Sequence, residues 1–137
     1  MQFFIPMAKP PTVTHQEKAV RVVKGKPVFY EPAALADARQ KFTAHLAPHA
    51  PEAPLTGPLL LMVKWCFPIT GKHQDGEYKA TRPDTDNLQK LLKDVMTQVG
   101  FWKDDALVCS EICEKFYAAT PGLFICVEEL GRENDDD

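Results

Sequence analysis

Residues 59–67 constrain the fold more than any other part of the sequence. They are apolar at both alternating positions of a strand, and Lys64 is the exception. A strand with two apolar faces is typical of the interior of a sheet that is covered on at least one side. The segment therefore predicts a central strand, which requires neighbouring strands and a layer packed against them.

Residues 87–99 give the clearest helical pattern in the chain. Their apolar side chains recur at steps of three and four and form one face, made of Leu88, Leu91, Leu92, Val95, Met96 and Val99. Asp84, Thr85 or Asp86 can cap the start of this helix, and Gly100 can end it. The pattern predicts an amphipathic helix whose apolar face packs on the sheet.

The remaining elements follow from weaker patterns. Strands are predicted at residues 2–6, 106–118 and 123–130, with a turn at Pro121 and Gly122 between the last two. A second helix is predicted at residues 32–46, because Pro32 suits a first helical turn. Three segments are interpreted as connections: a long loop at 9–31 with a possible hairpin at 24–26, a proline-rich stretch at 48–54, and a mobile loop at 69–83.

This order of elements predicts an α+β fold, with a mixed sheet of about four strands and two main helices packed on it. A chain of 137 residues has room for one compact domain, expected at residues 1–130, and the acidic residues 131–137 are predicted to be a disordered tail. No stretch approaches the roughly 20 apolar residues that span a membrane, and no signal-peptide pattern is present, so a cytoplasmic protein is expected. The 4 cysteines form no Cys-x-x-Cys pair and are predicted to be reduced core residues.

The formal net charge of −3 is distributed unevenly. Six acids and one base lie in residues 128–137, whereas residues 1–50 hold seven bases and three acids. The global charge therefore does not exclude a phosphate-binding face, although a solvated loop explains the same bases equally well. The candidates for phosphate contacts are Lys9, Lys18, Arg21, Lys24, Lys26, Lys72, Lys79 and Arg82.

Two carboxylates, Asp84 and Asp86, lie where a loop becomes a helix. In an extended segment residues i and i+2 point the same way, so the two acids are expected to converge on one cation. Mg²⁺ prefers oxygen ligands and is often held by one or two carboxylates together with substrate phosphates. Lys90 follows one turn later and can neutralise charge on a phosphate. Ordinary helix capping by Asp84 and a solvated Lys90 remain the alternative.

A second acidic pair, Asp104 and Asp105, follows the same helix. A helix of thirteen residues is about 20 Å long, so Asp105 begins near the end that is remote from Asp86. It can reach the first pair if the chain runs back along the helix, or if a second subunit supplies the partner. Both possibilities stay open at the level of sequence.

The two acidic segments together resemble the signature of the RusA-type Holliday junction resolvases. That signature is Asp-x-Asp-Asn with a lysine one turn on, then Trp-x-Asp-Asp, and the chain carries it at residues 84–90 and 100–105. The resemblance implies that Asp84, Asp86 and Asp105 are catalytic, metal-binding acids and that Lys90 is a catalytic lysine. It also implies Mg²⁺ or Mn²⁺ as cofactor, a homodimer, and symmetric cutting of four-way or branched DNA in recombination and repair. Such proteins are common in bacteria and their prophages.

Other interpretations compete with this one. Asp-x-Asp also occurs where a divalent cation holds a nucleotide-sugar diphosphate, although the chain is short for a glycosyltransferase and lacks a glycine-rich nucleotide turn. A DNA-binding module without catalytic activity is the second alternative. His45 and His49 are spaced like a metal pair on a helix, but surface histidines are the simpler explanation. Trp65 and Trp102 are predicted to be core residues.

Overall fold

The computed structural model of the protein describes residues 1–13 and 19–131, and for residues 19–23 and 28–30 it describes only the backbone. Within these ranges the chain forms strands and helices with the following bounds: β1 (Gln2–Pro6), β2 (Ala19–Val23), β3 (Lys26–Tyr30), α1 (Ala33–Leu46), β4 (Leu59–Pro68), α2 (Thr85–Gln98), β5 (Val108–Ala118) and β6 (Gly122–Glu129). Short 3₁₀ turns occupy Ala47–His49 and Asp105–Leu107. The predicted disordered tail, residues 131–137, lies outside the described residues apart from Gly131.

The main sheet has four strands in the order β1-β6-β4-β5. The central strand β4 pairs parallel with β5 and antiparallel with β6, and β1 pairs antiparallel with β6. The predicted mixed sheet with residues 59–67 in its interior is therefore confirmed. Although β5 and β6 are consecutive in the chain, β4 lies between them.

The two helices pack on one face of this sheet. Alternate residues of β4, from Leu59 to Phe67, point into the core and are buried. The indole of Trp65 meets Phe42 of α1 edge to face, with ring centroids 6.0 Å apart. From α2, the predicted apolar face supplies Leu88, Leu91, Leu92, Val95 and Met96 to the same core. The helical periodicity therefore predicted the correct face.

A charged contact fixes α2 against α1. The guanidinium of Arg39 donates to Glu31 (2.9 Å) and to Asp94 of α2 (2.5 Å). These hydrogen bonds raise the pKa of Arg39, with the bond to Glu31 as the largest cause. Because α2 carries the candidate acids, this contact helps to hold them in place relative to the sheet.

Several predicted boundaries need correction. Helix α2 begins at Thr85, two residues before the predicted start, and Pro32 occupies the N-cap position of α1 instead of its first turn. Strand β5 begins at Val108 because the preceding residues form a 3₁₀ turn. The hairpin predicted within the long loop is present as β2 and β3, and both turn residues, Lys24 and Gly25, have the positive φ that tight hairpin turns favour.

The loop predicted at residues 69–83 is attached to the sheet at its middle. The backbone N–H groups of Gly76 and Lys79 donate to carbonyl groups of β5 (2.8 and 2.9 Å), and Tyr78 stacks on Phe116. Gly122, where β6 begins, has a φ of +152°, and a Cβ atom there would lie 2.1 Å from the carbonyl oxygen of Ile5. Only glycine therefore permits the close approach of β6 to β1 at this point.

Candidate active site

Strand β5 holds the start of α2 through polar side chains. The residues of β5 that face the helices are Glu111, Cys113, Lys115 and Tyr117, because they pair with the buried residues of β4. The ammonium of Lys115 donates to the carbonyl oxygens of Thr81 (2.7 Å) and Pro83 (2.8 Å). The backbone just before Asp84 is therefore fixed by a lysine from the neighbouring strand.

Asp84 and Asp86 lie on either side of the helix start. Asp84 is the N-cap residue, with an extended backbone, and its side chain makes no capping hydrogen bond. Asp86 lies within the first turn of α2. Since α2 begins between them, the extended geometry from which a common direction was expected applies to Asp84 only. They line two adjoining pockets, and Asn87 lines both.

The first of these, which we call the α2–β5 pocket, has a volume of about 650 Å³. It is lined by Thr85, Asp86, Asn87, Gln89, Lys90, Lys93, Asp105, Glu111 and Cys113. The pocket therefore brings together Asp86, Lys90 and Asp105, three of the four residues that the resemblance implies to be catalytic. All three come from one chain, so no second subunit is needed to unite them.

After Asp105, which lines this pocket, strand β5 runs back along α2 towards the start of the helix. Glu111 contacts Gln89 and Lys93, the Sγ atom of Cys113 faces the carbonyl oxygen of Thr85, and Lys115 contacts the carbonyl oxygen of Pro83. Residues later in β5 thus contact residues earlier in α2, so the strand runs antiparallel to the helix. Of the two alternatives for Asp105, this is the first.

Asp104 and Asp105 have different surroundings. The carboxylate of Asp104 accepts a hydrogen bond from the backbone N–H of Ala106 (2.8 Å) and caps the 3₁₀ turn. Asp105 lines the α2–β5 pocket. Asp104 therefore has a local capping role, and Asp105 is the member of the pair that lines the pocket.

The second pocket, which we call the loop pocket, has a volume of about 610 Å³. It is lined by Thr12, Phe67, Lys79, Arg82, Pro83, Asp84 and Asn87. The ammonium of Lys79 lies 5.5 Å from the ring centre of Phe67 and 5.1 Å from that of Tyr117, and it donates to the hydroxyl of Thr81 (2.8 Å). Two cations and one carboxylate therefore meet here beside an aromatic ring.

A chain of hydrogen bonds links the core to the α2–β5 pocket, and sequence reasoning missed it. Gln89 is only 3% exposed; its amide oxygen accepts from the indole of Trp65 (2.7 Å), and its amide nitrogen donates to Glu111 (2.8 Å). Glu111 also accepts from Lys93 (2.9 Å). The available signal was the polar character of β5 at positions that should face the core.

The donor atoms of the α2–β5 pocket fit a hard divalent cation. Asp86 and Asp105 offer carboxylate oxygens, and a magnesium ion held by two carboxylates takes its other ligands from water and substrate phosphates. Within the residues that the structure describes, no three His, Cys, Asp or Glu side chains form a ready-made metal cluster. Burial, followed by the charge of Glu111, raises the pKa of the Cys113 thiol to about 12, so the thiol is protonated at neutral pH in the metal-free protein.

The remaining basic candidates are dispersed. Lys9 lines a third cavity of about 350 Å³ beside α1, together with Asp37 and Lys41. Lys24, Lys26 and Lys72 are exposed. Lys18 lies outside the described residues, and the side chain of Arg21 is not described. Lys79 and Arg82 are therefore the members of the predicted set that lie next to the candidate acids.

Other side chains singled out from the sequence have structural contacts. Trp65 and Trp102 are both buried, as predicted, and the indole of Trp102 donates to Thr97 (2.7 Å). His49 stacks on Phe3, with ring centroids 4.2 Å apart. All four cysteines are free thiols, but Cys109 is exposed and so is not a core residue.

Among the described residues, none of the helices combines the length and apolar character that a membrane span requires.

Comparison with known proteins identifies the family. The family model described as Endodeoxyribonuclease RusA matches residues 8–128. A protein of Lactococcus phage r1t named Crossover junction endodeoxyribonuclease rusA is 34% identical over 109 residues, which cover 78% of this chain and 81% of the relative. The chain therefore belongs to the RusA family of endodeoxyribonucleases.

Two further relatives are similar to the chain. The Uncharacterized protein YqaN of Bacillus subtilis is 27% identical over 117 residues, covering 77% of this chain and 82% of the relative. The Crossover junction endodeoxyribonuclease RusA of Escherichia coli is 42% identical over 53 residues, which cover 38% of this chain and 44% of the relative. The α+β fold expected for this family is the fold observed.

Proposed function

We propose that the protein is a metal-dependent endodeoxyribonuclease that resolves Holliday junctions and related branched DNA by paired, symmetric nicks, in recombination and repair. The observation that carries this proposal is the meeting of Asp86, Lys90 and Asp105 in one pocket of a RusA-family chain. Carboxylates that hold a divalent cation beside a lysine are suited to the hydrolysis of a phosphodiester. The nuclease domain would span residues 1–130 and act in the cytoplasm, with residues 131–137 as an acidic tail.

Asp86 and Asp105 would hold Mg²⁺ or Mn²⁺, and Asp84 would complete the ligand set from the adjoining loop pocket. When bound, the ion supplies polarisation of the scissile phosphate and activation of water. The absence of a capping hydrogen bond from Asp84 supports its inclusion, because its carboxylate oxygens are not used by the backbone of α2. The alternative of simple helix capping by Asp84 is thereby disfavoured.

Lys90 would stabilise the negative charge that develops on the phosphate oxygens. It lies one turn after Asp86 on the wall of the same pocket. Lys79 and Arg82 would hold the DNA strand beside the cut, from the loop pocket. The more distant bases, Lys9, Lys18, Arg21, Lys24, Lys26 and Lys72, would contact phosphates elsewhere on the junction and contribute affinity that falls with salt.

A homodimer follows from the proposed reaction. Paired symmetric nicks need two active sites related by a two-fold axis, and one chain supplies one α2–β5 pocket. The face of the sheet opposite the helices carries apolar side chains, and Phe4 and Ile112 on it are 37% and 44% exposed. We propose this face as the dimer surface. The molar mass from light scattering tests whether the protein is a dimer, and a monomer at the concentration used for cleavage contradicts the homodimer.

The first experiment is cleavage of a synthetic four-way junction with and without Mg²⁺, alongside a linear duplex of the same sequence. Symmetric nicking of the junction alone, only with the metal, is the expected result. Binding without cleavage in Mg²⁺ and in Mn²⁺ would favour a DNA-binding module without catalytic activity. If neither binding nor cleavage is seen, the junction is not the substrate, and a nucleotide-sugar transfer assay then tests the glycosyltransferase alternative.

A further inference from the structure

The hydrogen-bonded chain from Trp65 to Lys93 is not explained by the acids and the lysine assigned above. Lys90 and Lys93 lie three residues apart on α2, and both line the α2–β5 pocket. Side chains at that spacing are neighbours on the surface of a helix. The pocket wall therefore carries a second ammonium group next to the one proposed to act at the cut.

The position of Lys93 is determined by its neighbours. An indole N–H only donates, so the oxygen of Gln89 must face Trp65 and its amide nitrogen must face Glu111. Glu111 then accepts from Gln89 with one oxygen and from Lys93 with the other. Trp65 is fully buried and Gln89 is nearly so, hence the chain ties the lysine to the rigid core.

The ion pair with Glu111 leaves hydrogen-bond donors of Lys93 unused. An ammonium group has three N–H donors, and the contact with Glu111 uses one of them. Its side chain is 26% exposed in the salt bridge, so the group stays accessible from the pocket. A long lysine side chain in solvent has many rotamers, and a fixed partner lowers the entropy lost when it binds an anion.

We propose that Lys93 is a second phosphate-binding residue of the active-site pocket, and that Gln89 and Glu111 are positioning residues for it. This inference rests on the proposed function, since the phosphate is that of a DNA strand in the pocket. Lys93 would contact a phosphate next to the one at Lys90. Gln89 and Glu111 would act on DNA only through the placement of Lys93.

The test measures junction affinity at several salt concentrations, with Ca²⁺ in place of Mg²⁺ to suppress cleavage. Lys93→Met is expected to weaken binding about tenfold and to reduce the slope of log K against log salt by about one, as for loss of one phosphate contact. Lys41→Met, which makes the same charge change on α1 outside this pocket, is expected to keep the wild-type slope. A Lys93→Met protein with wild-type affinity and slope would overturn the assignment.

A double-mutant cycle tests the positioning role. Gln89→Met keeps the charge and approximate length of the side chain, and it should weaken binding in the wild-type background but not in the Lys93→Met background. An equal loss in both backgrounds means that Gln89 acts independently of Lys93 and sinks the positioning claim. If Gln89→Met does not fold, as judged by circular dichroism, Trp65→Phe removes the hydrogen bond that orients Gln89 without changing any charge and serves in the same cycle.

The failure of this inference can be distinguished from failure of the proposed function. The wild-type protein is measured first for junction binding in Ca²⁺ and for junction cleavage in Mg²⁺. If it does neither, the proposed function is wrong and the role of Lys93 falls with it. If it does both and the Lys93 variants behave as wild type, the nuclease assignment stands and only the inference about Lys93 is overturned.

Discussion

The two pockets at the start of α2 share Asn87 but have different chemistry. The α2–β5 pocket is built mainly from α2 and β5, which carry its lysines, its amides and the acids Asp86 and Glu111, while Asp105 lies in the short 3₁₀ turn before β5. The loop pocket is built largely from the segment before the helix, with Lys79 and Arg82 beside the ring of Phe67. Side chains on regular elements are held more precisely than those on loops.

From this difference we propose that the α2–β5 pocket carries the chemical step and that the loop pocket holds the DNA strand. The chemical step needs groups fixed relative to one another, and the α2–β5 pocket provides Asp86, Lys90 and Asp105 in that form. Holding a DNA strand needs positive charge and tolerates less exact placement, which the loop pocket offers. Asp84 does not fit this assignment simply, because it belongs to the family signature yet lines the loop pocket.

The largest expected effect is the loss of cleavage and of metal binding when Asp86 is replaced, and it should exceed the loss when Asp84 is replaced. We expect Asp86→Asn to abolish junction cleavage in Mg²⁺ and to weaken Mn²⁺ binding strongly, while junction binding in Ca²⁺ persists. Asp84→Asn should also impair cleavage, but with a smaller loss of Mn²⁺ affinity than Asp86→Asn, because Asp84 reaches the ion only from the adjoining loop pocket, so that high Mn²⁺ restores activity. Cleavage assays combined with electron paramagnetic resonance of bound Mn²⁺ measure both quantities.

The control for this pair is Asp37→Asn, which removes one exposed carboxylate on α1 and should change neither quantity. If the two aspartate variants lose Mn²⁺ affinity equally, Asp84 and Asp86 hold the ion as equivalent ligands. The proposed division between the pockets would then be wrong for the acids.

Replacing Lys90 and replacing Lys79 should have intermediate effects, the first on kcat and the second on the salt dependence of binding. Lys90→Met is expected to lower kcat about a hundredfold with little change in junction affinity, because it removes charge stabilisation in the transition state. Lys79→Met should leave kcat unchanged and reduce the salt slope of binding by about one. Single-turnover cleavage and binding titrations at several salt concentrations distinguish these outcomes.

The two variants control for each other, because each removes one lysine charge from a pocket that borders Asn87. A kcat that falls equally in both would mean that Lys79 also acts on the reacting phosphate. The loop pocket would then be part of the catalytic centre instead of a binding site beside it.

Periodicity in the sequence was enough to predict the elements that carry the site. The apolar stripe of α2 and the two apolar faces of β4 are local patterns, and both elements are present. The order of the strands was not accessible in this way. Whether β4 lies between β5 and β6 depends on pairings between residues distant in the chain, which no local pattern encodes.

The roles of the candidate site residues stay predictions, and their geometry could not be predicted from the sequence. The expectation that Asp84 and Asp86 lie in one extended segment was wrong, because the helix begins at Thr85 and only Asp84 keeps an extended backbone. The approach of Asp105 stayed open because it depends on β5 running back along α2. Glu111 was missed because its contact with Gln89 joins residues 22 positions apart in the sequence.

The smallest effect concerns Cys113, the thiol on the wall of the α2–β5 pocket. Its pKa is raised to about 12, chiefly by burial, so the thiol is protonated and neutral near pH 7 in the metal-free protein. A neutral thiol is a poor metal ligand, since the thiolate is the form that binds. We therefore expect Cys113→Ser to leave cleavage and Mn²⁺ affinity unchanged between pH 6 and 9, and a loss of affinity for thiophilic Cd²⁺ that exceeds any loss for Mn²⁺ would show that sulfur belongs to the site. In that case the α2–β5 pocket would differ from the loop pocket in the type of its donor atoms as well as in their rigidity.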